Sequence, residues 1–198
     1  LDFELRGSHR WLQNVITHEF AHIISLQKAM KAGTRMPGAY FQFMNYEDEK
    51  RPDVLYGFPN ALMSYPIPGT VVPPWLAEGV AQYMYDDADY DHWDTHRDMI
   101  LRDRAIHGNL LSFTEMNTFG KKGIGNESTY NSGFALSTYI ANEYGPEKLK
   151  DIMIDLSSPT QFSINNAMEN VLGENGDDVY VAFKTSLELK YNMLMSPI

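Results

Sequence analysis

The sequence of 198 residues contains no cysteine. Disulfide bonds are therefore excluded, and any zinc site must use histidine and carboxylate ligands instead of thiolates. No apolar run approaches the roughly 18 residues that cross a membrane. Basic residues are also scarce, because 16 Lys and Arg stand against 26 Asp and Glu, a net charge of −10. Nucleic-acid binding relies on clustered basic side chains, so this balance argues against it.

The remaining composition is that of an ordinary globular domain, with 43% hydrophobic and 21% charged residues. The length suits a single domain, residues 1–198, with a substantial core. The chain begins Leu1-Asp2-Phe3, without an initiator Met or an apolar leader. We therefore expect it to be a piece of a longer, multidomain protein. Cysteine-free chains occur in every compartment, and we expect a periplasmic or extracellular location in preference to a cytoplasmic one.

Hydrophobic periodicity predicts a mainly α fold with a small β contribution (α+β), helical throughout its second half. The clearest helix runs from about Ser8, a plausible N-cap, to Lys31, with Gly33 as its stop. Its apolar residues lie on more than one face, which predicts a buried, central helix. Residues 34–73 contain six prolines and predict loops with one or two short strands. Later helices are predicted at 74–86, about 92–107, 127–144, 146–156, 163–172 and 177–193.

The long first helix carries the sequence His18-Glu19-Phe20-Ala21-His22, an H-E-x-x-H pattern. Residues four apart share a helix face, so both imidazoles can reach one zinc ion. Glu19 lies one position away and is placed to accept a proton from a zinc-bound water. The alternative is a chance match with two hydrogen-bonded core histidines. That alternative is disfavoured because two His and a Glu are costly to bury among apolar residues without a partner.

A catalytic zinc keeps three protein ligands, so a third ligand is expected on another element. Glu78 is the best candidate, early in a predicted helix with apolar neighbours. Gly79 and Ala81 are expected to let that helix approach the first one closely. The alternative is a surface Glu that the dipole favours in a helix's first turn.

The sequence resembles the gluzincin clan of zinc metallopeptidases, particularly the peptidase MA-like group, in two segments. They are the H-E-x-x-H segment and Trp75-Leu76-Ala77-Glu78-Gly79-Val80-Ala81. A third segment, Tyr130 to Gly145, is similar to the helix that follows in that group. The resemblance implies a zincin-like fold and a Zn²⁺ site formed by His18, His22 and Glu78. It also implies a peptide or protein substrate, and an endopeptidase is favoured over an aminopeptidase.

The sequence departs from that family in two places. Fifty-five residues separate His22 from Glu78, so the Pro-rich stretch 34–73 is expected to be an insertion beside the cleft. Few residues precede His18, whereas gluzincins usually place a β-sheet there, so an upstream sheet is expected to be reduced or absent. Two other functions stay open, a catalytically degenerate peptidase fold serving as a binding or assembly module of an envelope protein, and a structural zinc site.

Peptide hydrolysis passes through an oxyanion that a second donor can stabilise. Tyr130 is the residue predicted for this role, with Tyr83 and Tyr85 as rivals and a core aromatic as the alternative. Gln82 follows Glu78 by one turn and is expected either to orient a ligand histidine or to be solvated.

The remaining histidines carry weaker signals. His92 and His96 lie four apart among several aspartates, which fits a second metal site less well than a solvated helix start. Asn126 begins a glycosylation sequon by pattern only. His9 and His107 have no recognisable context.

Overall fold

The computed structural model describes residues 11–31, 39–46, 59–67, 69–87, 95–121 and 127–195. Within these ranges the chain forms eight helices and one antiparallel pair of strands. The elements are, in chain order, α1 (Trp11–Lys28), β1 (Ala39–Tyr46), β2 (Pro59–Ile67), α2 (Pro74–Asp87), α3 (Thr95–Ile106), α4 (Phe113–Met116), α5 (Glu127–Tyr144), α6 (Glu147–Leu156), α7 (Ile164–Leu172) and α8 (Gly176–Met195).

The prediction of a mainly α fold with a small β contribution is confirmed. Helix α5 has its predicted bounds, and α7 begins where predicted because the Ser163 side chain accepts a hydrogen bond from the Asn166 amide. The four-residue helix α4 was not predicted. It is held by a capping box in which Ser112 and Glu115 each accept the other's backbone N–H.

The Pro-rich segment contains two paired strands of eight and nine residues. Their register places Phe41 opposite Tyr65 and Phe43 opposite Met63. The expected strands are therefore present, and they are longer than the prediction of short strands implied. They are the only strands in the part of the chain that the structure describes.

The core is organised around α2 and α5, which pack against each other in the middle of the helical part. Trp75 and Leu76 of α2 and Leu136 and Ile140 of α5 are completely buried. Helices α3, α6, α7 and α8 extend this core with further buried apolar side chains. Because α2 carries Glu78, the third predicted ligand is attached to the best-packed element of the fold.

Two glycines allow α2 and α5 to approach closely. A Cβ added to Gly79 would lie 2.5 Å from the Ser137 Oγ and closer still to the carbonyl oxygen of Gly133. A Cβ added to Gly133 would in turn collide with the carbonyl oxygen of Trp75. The expectation that Gly79 brings α2 to the first helix is therefore wrong, because its missing side chain makes room for α5.

Helix α1 packs on α2 but is not buried on all sides. Leu12, Ile16, Phe20 and Ile23 are between 54% and 62% exposed, and they lie on one face of the helix. The prediction of a buried, central helix is therefore wrong for this face. The predicted caps Ser8 and Gly33 lie outside the described residues.

Lys31, three residues after α1, anchors the end of this helix to the opposite side of the fold. Its Nζ donates to the carbonyl oxygens of Leu156 at 3.1 Å and Ser158 at 2.6 Å, and also to that of Gln161. The same ammonium lies 4.4 Å from the ring centroid of Phe162. One cation thus satisfies three carbonyls around the end of α6.

Candidate metal centre

The H-E-x-x-H segment lies within α1, so its four-residue spacing places His18 and His22 on one face of the helix. His18 and His22 are one turn apart, and their ring centroids lie 4.6 Å apart with the rings perpendicular. The two Nε2 atoms are separated by 3.0 Å. Both imidazoles therefore direct the same nitrogen at one point beside the helix.

Glu78 reaches that point from the first turn and a half of α2. Its Oε2 lies 3.2 Å from the Nε2 atom of His18 and 3.2 Å from the Nε2 atom of His22. All three side chains are largely buried, with exposed fractions of 13% to 17%. Among the described residues, these three form the one group of His, Asp or Glu side chains whose ligand atoms converge in this way.

The spacing of the three atoms fits a tetrahedral zinc site. Zinc bonds of 2.0–2.2 Å to nitrogen and oxygen place tetrahedral ligand atoms roughly 3.3–3.6 Å apart. The observed separations of 3.0, 3.2 and 3.2 Å lie just below that range. The donor set of two imidazoles and one carboxylate also matches the ligands that zinc takes in catalytic sites, with a fourth position left open.

The electrostatics favour the ligand form of Glu78. Burial alone would raise the pKa of Glu78, but hydrogen bonds and charge from His18 and His22 outweigh it and lower that pKa to about 2. Glu78 is therefore a carboxylate at neutral pH. The hydrogen bond to Glu78 raises the pKa of His22 against the opposing effect of burial. In the absence of metal, a proton on His22 compensates the buried carboxylate charge.

Glu19 lies beside this group without belonging to it. Its side chain is exposed, and its negative charge contributes to raising the pKa of both His22 and Tyr130. The charge of Glu19 therefore acts on both residues, and its carboxylate is open to solvent.

Tyr130, in the first turn of α5, lies against the other side of the histidines. Its ring is stacked near that of His18, with centroids 6.4 Å apart and 19° between the planes, and Phe119 packs on it at 6.1 Å. Burial, together with the charge of Glu78 and a hydrogen bond to it, raises the pKa of Tyr130 to about 12. The hydroxyl therefore keeps its proton at neutral pH and can donate it.

The rival Tyr83 is placed elsewhere. Tyr83 lines a separate apolar cavity of about 250 Å³ with Ile24 and Met153, and none of the three converging residues lines it. The side chain of Tyr85 lies outside the described part of the structure.

Both expectations for Gln82 are wrong, because it is neither solvated nor bonded to a ligand histidine. It is 3% exposed, and its side-chain amide forms hydrogen bonds with its neighbours in one of its two possible orientations. In that orientation, Nε2 donates to the Tyr130 carbonyl oxygen at 3.1 Å and Oε1 accepts from the Arg97 Nη1. The Nδ1 atom of His22 is buried and has no hydrogen-bond partner.

Arg97 is a residue of this neighbourhood that sequence reasoning missed. It is a single cation within the acidic segment around His92 and His96, and no motif marks it. His9, His92 and Asn126 lie outside the described residues, as does the side chain of His96. His107 is on the surface, where its Nδ1 lies 2.8 Å from the carbonyl oxygen of Asp103.

Comparisons of this chain with models of protein families, with curated proteins and with solved structures find no match. In the residues that the structure describes, none of the helices has the length and apolar character needed to cross a membrane. The function is therefore argued from the geometry of the site alone.

Proposed function

We propose that this chain is a zinc-dependent peptidase of the gluzincin type, with a zincin-like arrangement of its ligand helices. His18, His22 and Glu78 hold the zinc, Glu19 is the catalytic base, and Tyr130 supports the oxyanion. The observation that carries the proposal is the convergence of three ligand atoms within 3.2 Å of one another from two helices. His18 and Glu78 lie 60 positions apart in the chain.

Convergence alone also fits a structural metal site, so the neighbouring residues matter. A structural zinc site is closed by a fourth protein ligand, whereas a catalytic one keeps an open position. In the described part of the chain, no fourth His, Asp or Glu joins the group. Glu19, which is exposed beside the group, has no use in a purely structural site. Both points favour hydrolysis.

The chemistry can be assigned to individual side chains. A bound zinc ion supplies a Lewis acid and lowers the pKa of water to about 7. Glu19 accepts the proton of the attacking water and delivers it to the leaving amine. The Tyr130 hydroxyl, which is protonated at neutral pH, would donate to the oxygen that gains charge. The largely buried positions of His18, His22 and Glu78 strengthen these interactions by limiting access of water.

The substrate class is proposed to be a peptide or protein, and the endopeptidase mode remains a prediction from the sequence resemblance. The insertion at 34–73 and the membership of a longer protein likewise remain predictions. The exposed apolar face of α1 is adjacent to Glu19 in the helical projection, since residues 16, 20 and 23 lie on one side of position 19, within about 100° of it. An extended substrate lying beside Glu19 would therefore meet an apolar surface.

The Glu19→Gln substitution tests the proposal. Gln is nearly isosteric but cannot accept a proton, so zinc stoichiometry should equal that of the parent while peptide hydrolysis falls by a factor of about 10² to 10⁴. His22→Ala should lose the metal itself. Glu143→Gln on the exposed end of α5 is the matched control and should behave as the parent. A Glu19→Gln variant that cleaves a general protein substrate as fast as the parent would refute the proposed mechanism.

A further inference from the structure

The side chain of Gln82 contacts the backbone of Tyr130. Glu78 and Gln82 are one turn apart on α2, so they share a face. The charge of Glu78 acts on the Tyr130 hydroxyl, and the Gln82 amide donates to the Tyr130 carbonyl oxygen at 3.1 Å. One helix therefore faces both ends of the tyrosine. The backbone contact leaves the hydroxyl end of this residue facing the site.

Arg97 completes this arrangement from α3. Its Nη1 donates to the Oε1 of Gln82, which fixes the amide in the orientation that serves Tyr130. Its Nε lies 3.3 Å from the Oε2 of Glu127, the first residue of α5. Arg97 therefore contacts α5 at its first residue and, through Gln82, at Tyr130 three residues later.

The burial of Arg97 makes this arrangement informative. Its side chain is 13% exposed, whereas that of Glu127 is 46% exposed. A cation that is largely withdrawn from water loses hydration. Among the described residues, the ion pair of Arg97 is with a half-exposed carboxylate, which compensates this loss poorly. Neither Arg97 nor Gln82 contributes an atom to the metal ligands. Both residues contact the first turn of α5, which carries Tyr130.

We propose that Arg97 is a positioning residue of the metal centre. Through Gln82 and Glu127 it fixes the first turn of α5, and this holds the Tyr130 hydroxyl next to Glu78 and the two histidines. The inference rests on the proposed function, because it assigns Tyr130 a task at a metal-bound reacting group. It differs from a role in stability alone, since removing Arg97 should displace Tyr130 even where the fold and the metal persist.

The displacement can be measured without turnover in protein loaded with Co²⁺ and labelled with 3-fluorotyrosine. The ¹⁹F resonance of Tyr130 is the one that is absent from the Tyr130→Phe variant. Paramagnetic Co²⁺ shifts this resonance strongly because of its proximity. In Arg97→Met we expect full cobalt stoichiometry, together with loss of more than half of the paramagnetic shift or splitting into several lines. Arg104→Met, on the same helix with one contact at 3.4 Å to the Asn109 carbonyl oxygen, should retain the parent spectrum.

Kinetics supply a second measurement. Arg97→Met should lower kcat about tenfold or more and change KM less than about twofold, because Tyr130 acts on the transition state. In a Tyr130→Phe background, Arg97→Met should cause no further loss, since the two changes remove the same interaction. If Arg97→Met does not fold, Gln82→Met cuts the same connection and must give the same loss of shift.

The outcomes separate the two proposals. A parent protein that binds neither Co²⁺ nor Zn²⁺ would overturn the proposed function and with it this inference. Arg97→Met with bound cobalt and the parent's Tyr130 shift would overturn the inference alone. Effects of Arg97→Met and Tyr130→Phe on kcat that multiply would also overturn it, because independent losses show that Arg97 does not act through Tyr130.

Discussion

Adding a single methyl group at Gly79 should disrupt the contact that places Tyr130 beside Glu78. The Cβ of Gly79→Ala would lie 2.5 Å from the Ser137 Oγ and even closer to the Gly133 carbonyl oxygen. Non-bonded heavy atoms prefer about 3.5–4.0 Å, so α2 and α5 must separate by roughly 1 Å. The clash is with backbone, and rotation of a side chain cannot relieve it.

The magnitude follows from the packing of these two helices. Overpacking of this kind costs about 1–3 kcal/mol. In a chain of this size, a loss of about 2 kcal/mol lowers the melting temperature by roughly 4–8 °C. A shift of roughly 1 Å in α5 also moves Tyr130 away from the site, and a misplacement of that size can reduce kcat by as much as about a hundredfold. Zinc should remain bound, because the ligands come from α1 and α2.

Thermal unfolding, zinc content and peptide hydrolysis measure the three effects separately. Gly69→Ala is the matched control, because its added Cβ would meet only the Met30 Cε at an ordinary 3.7 Å. That variant should differ from the parent by less than about 0.5 kcal/mol. A Gly79→Ala variant with the melting temperature of the parent would show that the close helix contact is not present in solution.

Three further predictions follow from individual side chains. Tyr130→Phe should lower kcat by about ten- to a thousandfold and leave zinc affinity intact, measured by steady-state kinetics and metal competition. Lys31→Met should cost about 1–3 kcal/mol of unfolding free energy because three carbonyls lose their donor, whereas exposed Lys28→Met should cost far less. Burial raises the pKa of Tyr180 to about 12 in the folded protein, whereas the ordinary value is 10.0. Above pH 10 the Tyr180 hydroxyl therefore loses its proton first in the unfolded chain. The contribution of Tyr180 to the free energy of unfolding should therefore be fully present below pH 10 and fall as the pH rises towards 12. Tyr180→Phe should weaken that pH dependence, measured by denaturant titrations at each pH.

Local patterns of the sequence determined the helices and two of the three converging side chains. The four-residue spacing of His18 and His22 places both on one helix face whatever surrounds them, so it can be interpreted without a tertiary structure. The cap at Ser163 also depends only on residues next to it in the chain. Glu78 was the best candidate because it lies early in a helix with apolar neighbours, and the resemblance to a known motif supported it, but local periodicity alone left a surface position open.

Only the tertiary structure decided what lies opposite each face. Gly79 was correctly identified as a site of close approach, but its partner is α5 and not α1, because periodicity gives the direction of a side chain without its neighbour. The apolar face of α1 was expected to be buried for the same reason. Arg97 has no local signature, and the position of Gln82 one turn after Glu78 does not indicate Tyr130 as its partner. Their contact with Tyr130 joins three helices, and such a contact exists only once the chain has brought distant segments together.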